Sequence, residues 1–158
     1  MKSALLGLAV ALMAVPPAIG GDVPFAGPRS DRPDHVQRLL IPSLADIMTM
    51  IQLRHIKLWY AGEAKNWVAA DYEVDRIEES LVKAVVLYNS IPMEYTANVD
   101  EALVDIRAAT KTKNSEGFVR GFARLTAACN SCHTGGNVGF IRIGVPTSMA
   151  LSNQQFKE

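Results

Sequence analysis

Residues 115–136 read SEGFVRGFARLTAACNSCHTGG, and the spacing within this stretch decides the fold. Phe118, Phe122, Leu125, Cys129 and Cys132 recur three and four residues apart, the period of one helical face. Gly135 and Gly136 close the pattern, which predicts a helix beginning after Ser115 and ending near Thr134. The apolar face carries two cysteines at its end, so the residues that build the core also lead into the most reactive side chains.

Working outward, three earlier segments share this period. Leu44, Ile47, Met48, Ile51, His55, Leu58 and Trp59 predict a helix over about 44–61, capped by Ser43 with Asp46 in box position and stopped by Gly62. Val74, Ile77, Leu81, Ala84 and Tyr88 predict a second over about 64–89, ended by Pro92. Val99, Leu103, Ile106 and Thr110 predict a third over about 99–113, with Asn98 as cap and Glu101 in box position. No strand-pairing pattern, internal repeat or low-complexity tract precedes the tail. Four amphipathic helices joined by short turns predict an all-α protein, an antiparallel four-helix bundle over 43–135. An irregular, Gly- and Pro-rich N-terminal arm (21–42) precedes it, and a C-terminal tail (136–158) follows. The tail holds a short apolar run, Val138 to Val145, and its conformation is not readable from the sequence.

The 158 residues fit one domain with a modest core. Hydrophobic residues at 49% and charged residues at 20% are those of a globular chain. Sixteen basic residues balance sixteen acidic ones, which argues against a nucleic-acid binder, since that class shows a basic stripe. Residues 1–20 read as a secretory signal: Lys2, an apolar run from Ala4 to Val15, the break at Pro16 and Pro17, and small residues before a cleavage point near Gly20. The apolar run is shorter than the roughly 20 residues of a transmembrane helix, so no stable membrane insertion is expected. The leader lacks the cysteine of a lipoprotein, and an uncleaved anchor is the alternative reading. The expected destination is the periplasm.

Export makes a plain disulfide between Cys129 and Cys132 a first consideration. The pair, however, sits in Cys129-Asn130-Ser131-Cys132-His133, a C-x-x-C-H spacing. On a helix these three reactive residues share a face. Two thiols could there form thioethers with haem vinyl groups while the imidazole of His133 reaches the iron, and this spacing is the attachment signature of c-type haem. A thiol–disulfide oxidoreductase places its pair at a helix N-terminus, the opposite end from this one. Zinc would need further ligands, and only His35 and His55 are spare. Haem c is the expected cofactor, with a disulfide, a redox pair or a metal site as alternatives.

A C-x-x-C-H near the C-terminus, ending the last of four amphipathic helices after a signal peptide, resembles the class II c-type cytochromes, the cytochrome c-prime group and its six-coordinate, low-spin relatives. The resemblance covers about 43–135. It rests on Cys129, Cys132 and His133, and more loosely on the helix pattern. The ordinary class I type carries its motif near the N-terminus and does not match. The tail of about 25 residues after the motif is longer than this group usually has, which questions how open the haem edge is.

In an up-down bundle the end of helix four lies beside the start of helix one, so a distal ligand is expected from the first two turns of helix one. Met48 is on that inner face, where six-coordinate relatives carry a methionine. Core filling is the alternative use of such a residue. Met50 points away, His55 lies two turns further on, and Met149 would have to fold back from the tail. Trp59, Trp67, Phe118 and Phe122 suit either a haem wall or the core. Arg120 and Arg124 suit either haem propionates or the solvated surface. The resemblance implies a one-electron carrier, not an enzyme, that meets redox partner proteins. Its five-coordinate members suggest the alternative, a haem protein binding the diatomic gases nitric oxide or carbon monoxide. Homodimers are common in the family.

Overall fold

The computed structural model describes residues 40–88, 90–149, 151 and 153–157. The leader and almost all of the N-terminal arm lie outside the described residues. Four helices follow in order: α1 (Leu44–Glu63), α2 (Trp67–Leu87), α3 (Met93–Lys111) and α4 (Ser115–Gly135). The chain is an antiparallel four-helix bundle without strands among the described residues, as the periodicities require. No helix of the described residues is long and apolar enough to cross a membrane.

Local chemistry explains each start. Ser43 Oγ accepts from the Asp46 amide at 3.1 Å, and the Asp46 carboxylate accepts from the Ser43 amide at 3.0 Å. This reciprocal pair satisfies two donors that the first turn of α1 would otherwise leave open. Asn66 and Asn114 cap α2 and α4, accepting from Ala69 N at 2.9 Å and Gly117 N at 3.0 Å. Both caps follow lysines in the left-handed region, Lys65 (φ 58°) and Lys113 (φ 54°), which turn the chain between helices.

Two boundaries differ from the sequence reading. Helix α3 begins at Met93 behind Pro92, not behind Asn98, so Asn98 and Glu101 are ordinary exposed helical residues. Proline lacks the N–H that a helix start cannot use, and it presets the entry angle, which lets α3 begin a turn and a half early. Gly62 does not stop α1. It is helical and buried, and a Cβ there would overlap the ring of Phe118. Its missing side chain serves the close approach of α1 and α4.

The core is continuous through the bundle, and Leu58, Val74, Ile77, Ile106, Phe118, Phe122 and Leu125 are its fully buried large side chains. Charges pin the helix pairs. Glu73 of α2 is buried and meets Lys57 Nζ at 2.7 Å and Arg54 Nη1 at 3.2 Å on α1. Arg107 of α3 reaches Asp71, Asp75 and Glu78 of α2, and Arg124 of α4 pairs with Asp105 of α3.

Contacts between α1 and α4 are few, in contrast to the tight α1–α2 and α3–α4 pairs. The two helices meet at one end through Gly62 and Phe118, beside an aromatic cluster. There Trp59 and Phe122 have ring centroids 4.8 Å apart, and Trp67 and Phe118 6.1 Å apart. A cleft opens between them towards the other end. The tail starts at that open end and reaches back to the α1–α2 turn, where Asn66 Nδ2 donates to Phe156 O at 3.1 Å and the Phe156 side chain is buried.

Candidate haem cleft between the first and last helices

The wedge between α1 and α4 encloses about 470 Å³, within the usual range for a small-molecule or cofactor site. Its walls are chiefly apolar. Helix α1 contributes Leu44, Met48 and Ile51; α2 contributes Ile77 and Leu81. Cys129, Cys132 and His133 come from the last two turns of α4. The antiparallel order produces this meeting, since α1 begins where α4 ends. All four residues singled out in the sequence, Met48, Cys129, Cys132 and His133, therefore line one cleft.

Each side chain has a distinct state. Burial, reinforced by neighbouring Cys132, pushes the Cys129 thiol up to about 11, and burial also raises Cys132. At neutral pH both remain protonated thiols, which is the reverse of the acidic thiolate a disulfide exchanger needs. Nδ1 of His133 lies 2.9 Å from the Ile141 carbonyl oxygen. A carbonyl can only accept, so Nδ1 is the donor, which in the neutral tautomer leaves Nε2 bare. A bare Nε2 with its ring held from the other side is the form in which histidine binds a metal.

Met48 is half-buried on the α1 wall, whereas Met50 is 46% exposed and does not line the cleft. Met149 packs against the core and does not line it either. His55 forms the deep end of the cleft on α1 and is buried. Thr126 donates its hydroxyl proton to Phe122 O at 2.9 Å, so its oxygen is free to accept from His55 Nε2, also at 2.9 Å. The His55 ring stacks on Phe122 at 4.3 Å. Among the described residues no group of three or more His, Cys, Asp and Glu side chains converges as a metal cluster.

The aromatic residues stand outside the cleft. Trp59, Trp67, Phe118 and Phe122 belong to the packed end of the α1–α4 wedge. Arg124 is paired with Asp105, and Arg120 lies beside Glu116, so both sit on the surface away from the cleft.

Sequence reasoning missed the wall that the tail supplies. Val138, Ile141 and Ile143 from the tail line the cleft beside His133. A signal was present: Ile141, Ile143 and Val145 alternate with Arg142 and Gly144, the pattern of an extended segment with one apolar side. Asn130, between the two cysteines, was also missed as a structural residue. Its side chain bonds the Ile143 backbone twice.

The burial of His55 gives a pH prediction. Desolvation lowers its pKa from 6.5 to about 4. The unfolded chain therefore binds more protons than the folded one between those values. Stability falls as pH drops through 6.5, and the loss is complete near pH 4. The shift corresponds to on the order of 3 kcal/mol. Urea unfolding at a series of pH values should show this slope, and His55→Gln should flatten it. An equal slope in both proteins would assign the acid sensitivity to other groups.

Comparison of the chain with protein-family models, with curated proteins and with solved structures returns no match.

Proposed function

We propose that this chain is an exported mono-haem c-type cytochrome that carries single electrons between redox partner proteins in the periplasm, without substrate turnover of its own. The observation that supports this most strongly is the meeting of Cys129, Cys132, His133 and Met48 in one apolar cleft between α1 and α4. A haem bound there supplies a one-electron Fe(II)/Fe(III) couple.

The chain's residues divide the remaining tasks. Cys129 and Cys132 would hold the macrocycle through thioethers, made by adding each S–H across a vinyl group, an addition that needs no oxidant. Two protonated, half-buried thiols on one helical face fit that role. His133 would donate Nε2 to the iron from the α4 side, with Nδ1 tied to Ile141 O. Met48 would offer its thioether from the α1 side, and a thioether ligand would favour the reduced state of the group. Leu44, Ile51, Ile77 and Leu81 would exclude water around the ring and lower the local dielectric.

The test is an absorption spectrum of the full chain exported from a host that matures c-type cytochromes, oxidised and then reduced, followed by acid–acetone extraction. Haem that resists extraction, with sharp reduced α and β bands, is the expected result. Resistant haem with broad high-spin bands that sharpen only under carbon monoxide would replace the carrier by a gas-binding protein. A colourless chain would overturn the haem reading and leave Cys129 and Cys132 as a disulfide pair.

A further inference from the structure

Beyond α4 the chain doubles back over the cleft. Gly136 N donates to Cys132 O at 2.9 Å, Asn137 takes a left-handed conformation (φ 57°), and Val138 N donates to His133 O at 2.9 Å. A further turn brings Ile141 N to Val138 O at 2.8 Å. Six residues on from the left-handed turn, at Ile143, the chain is caught by a side chain. The Asn130 Nδ2 group donates to Ile143 O at 2.9 Å, and Asn130 Oδ1 accepts from Ile143 N at 2.8 Å. A planar amide that engages both polar groups of one residue fixes its position and its orientation, as a rung of a β-ladder does. Ile141 lies two residues before this clamp, and its carbonyl meets His133 Nδ1.

We propose that Asn130 is a positioning residue for His133: by clamping Ile143 it holds the Ile141 carbonyl on Nδ1 and so sets the ring plane of the imidazole and, before haem is bound, its tautomer. The proposal rests on the haem reading above, in which that imidazole is the proximal ligand. The ring needs such support. His133 lies in the last turn of α4 and is half-buried, and among the described residues its ring is hydrogen-bonded by a tail segment alone. A tail free to move would leave the ring free to turn and Nδ1–H without its fixed carbonyl partner. The clamp also explains why an asparagine stands between the cysteines, where the attachment spacing makes no demand on residue type. A firmly held carbonyl on Nδ1 makes the imidazole a stronger donor to iron, which favours Fe(III).

The experiment uses the full exported holoprotein with Asn130→Leu and Asn130→Asp, read by potentiometric titration and by ¹⁵N NMR of the His133 ring. Asn130→Leu removes both bonds and should raise the reduction potential, with the Nδ1–H resonance shifting as its hydrogen bond to the Ile141 carbonyl is lost. Asn130→Asp keeps the acceptor and loses the donor, so its potential should rise less. The aspartate variant also supplies a folded comparison should the leucine variant fail to fold. Lower thermal stability with potential and Nδ1–H resonance unchanged would make Asn130 merely structural and overturn the proposal. A colourless wild-type chain would overturn the haem reading instead. The ¹⁵N spectrum of that chain still reports the tautomer, and a tautomer indifferent to Asn130→Leu would overturn the clamp on its own.

Discussion

Met48→Ala is expected to turn a low-spin haem spectrum high-spin and to lower the reduction potential. Met48 stands in the second turn of α1, lining the same cleft as Cys129, Cys132 and His133 on α4. The neighbouring alternatives are spent. Met50 is exposed on another face, and His55 lies about two turns deeper with Nε2 bonded to Thr126. Removing the thioether would therefore leave that side of the iron without a protein ligand. Thioether sulfur stabilises Fe(II) over Fe(III), so its loss should shift the couple downwards. Helical circular dichroism should persist, because Met48 is only half-buried and its truncation enlarges a cleft already present. An unchanged spectrum and potential would return Met48 to the role of wall filler.

Phe122→Ala should cost about 3–5 kcal/mol, the range for emptying a buried aromatic site. Phe122 is fully buried where α1 and α4 begin to part. Its ring centroid lies 4.3 Å from that of His55, 4.8 Å from Trp59 and 6.2 Å from Phe118. The site cannot collapse cheaply, since Gly62 and Phe118 already touch on one side and the cleft lies on the other. For a domain stable by about 5–15 kcal/mol the loss is large. With a urea slope of ~2 kcal/mol per molar, the midpoint should fall by about 2 M. Val119→Ala, at an exposed position on the same helix, is the control and should leave the midpoint nearly unchanged. A Phe122→Ala cost below about 1 kcal/mol would mean that this end of the wedge is plastic. It would also remove the rigid floor on which the cleft depends.

Asn130, if the clamp acts as proposed, links two levels of structure that are usually separate. The tail contributes little to the bundle core, yet it reaches the coordination chemistry through one carbonyl. The path of the tail would then be part of how the potential is set.

What the sequence determined by itself was local and periodic. The recurrence of Phe118, Phe122, Leu125 and Cys129 specified a helix with an apolar face, and three similar faces left a bundle as the way to bury them all. The C-x-x-C-H spacing put two thiols and an imidazole on one helical face, a consequence of 3.6 residues per turn that needs no knowledge of the rest. Ser43 and Asp46 announced their own capping box. The start of α3 was misplaced because Asn98 and Glu101 mimic a capping box, while Pro92 offers no side-chain bond by which to recognise the true start.

Only the tertiary structure decided what depends on residues far apart in the chain. Gly62 reads as a helix stop until the ring of Phe118, 56 positions later, is seen to need its empty space. The wedge between α1 and α4 follows from how closely two helices can approach at one end and not the other, a balance of side-chain volumes with no sequence signature. The tail's path, Asn130 on Ile143 and Ile141 on His133, is set by individual hydrogen bonds between partners 8 and 13 residues apart in irregular backbone. Periodicity reports which face is apolar. It carries no information on which carbonyl a ring nitrogen will meet, because that choice is made by packing once the faces have come together.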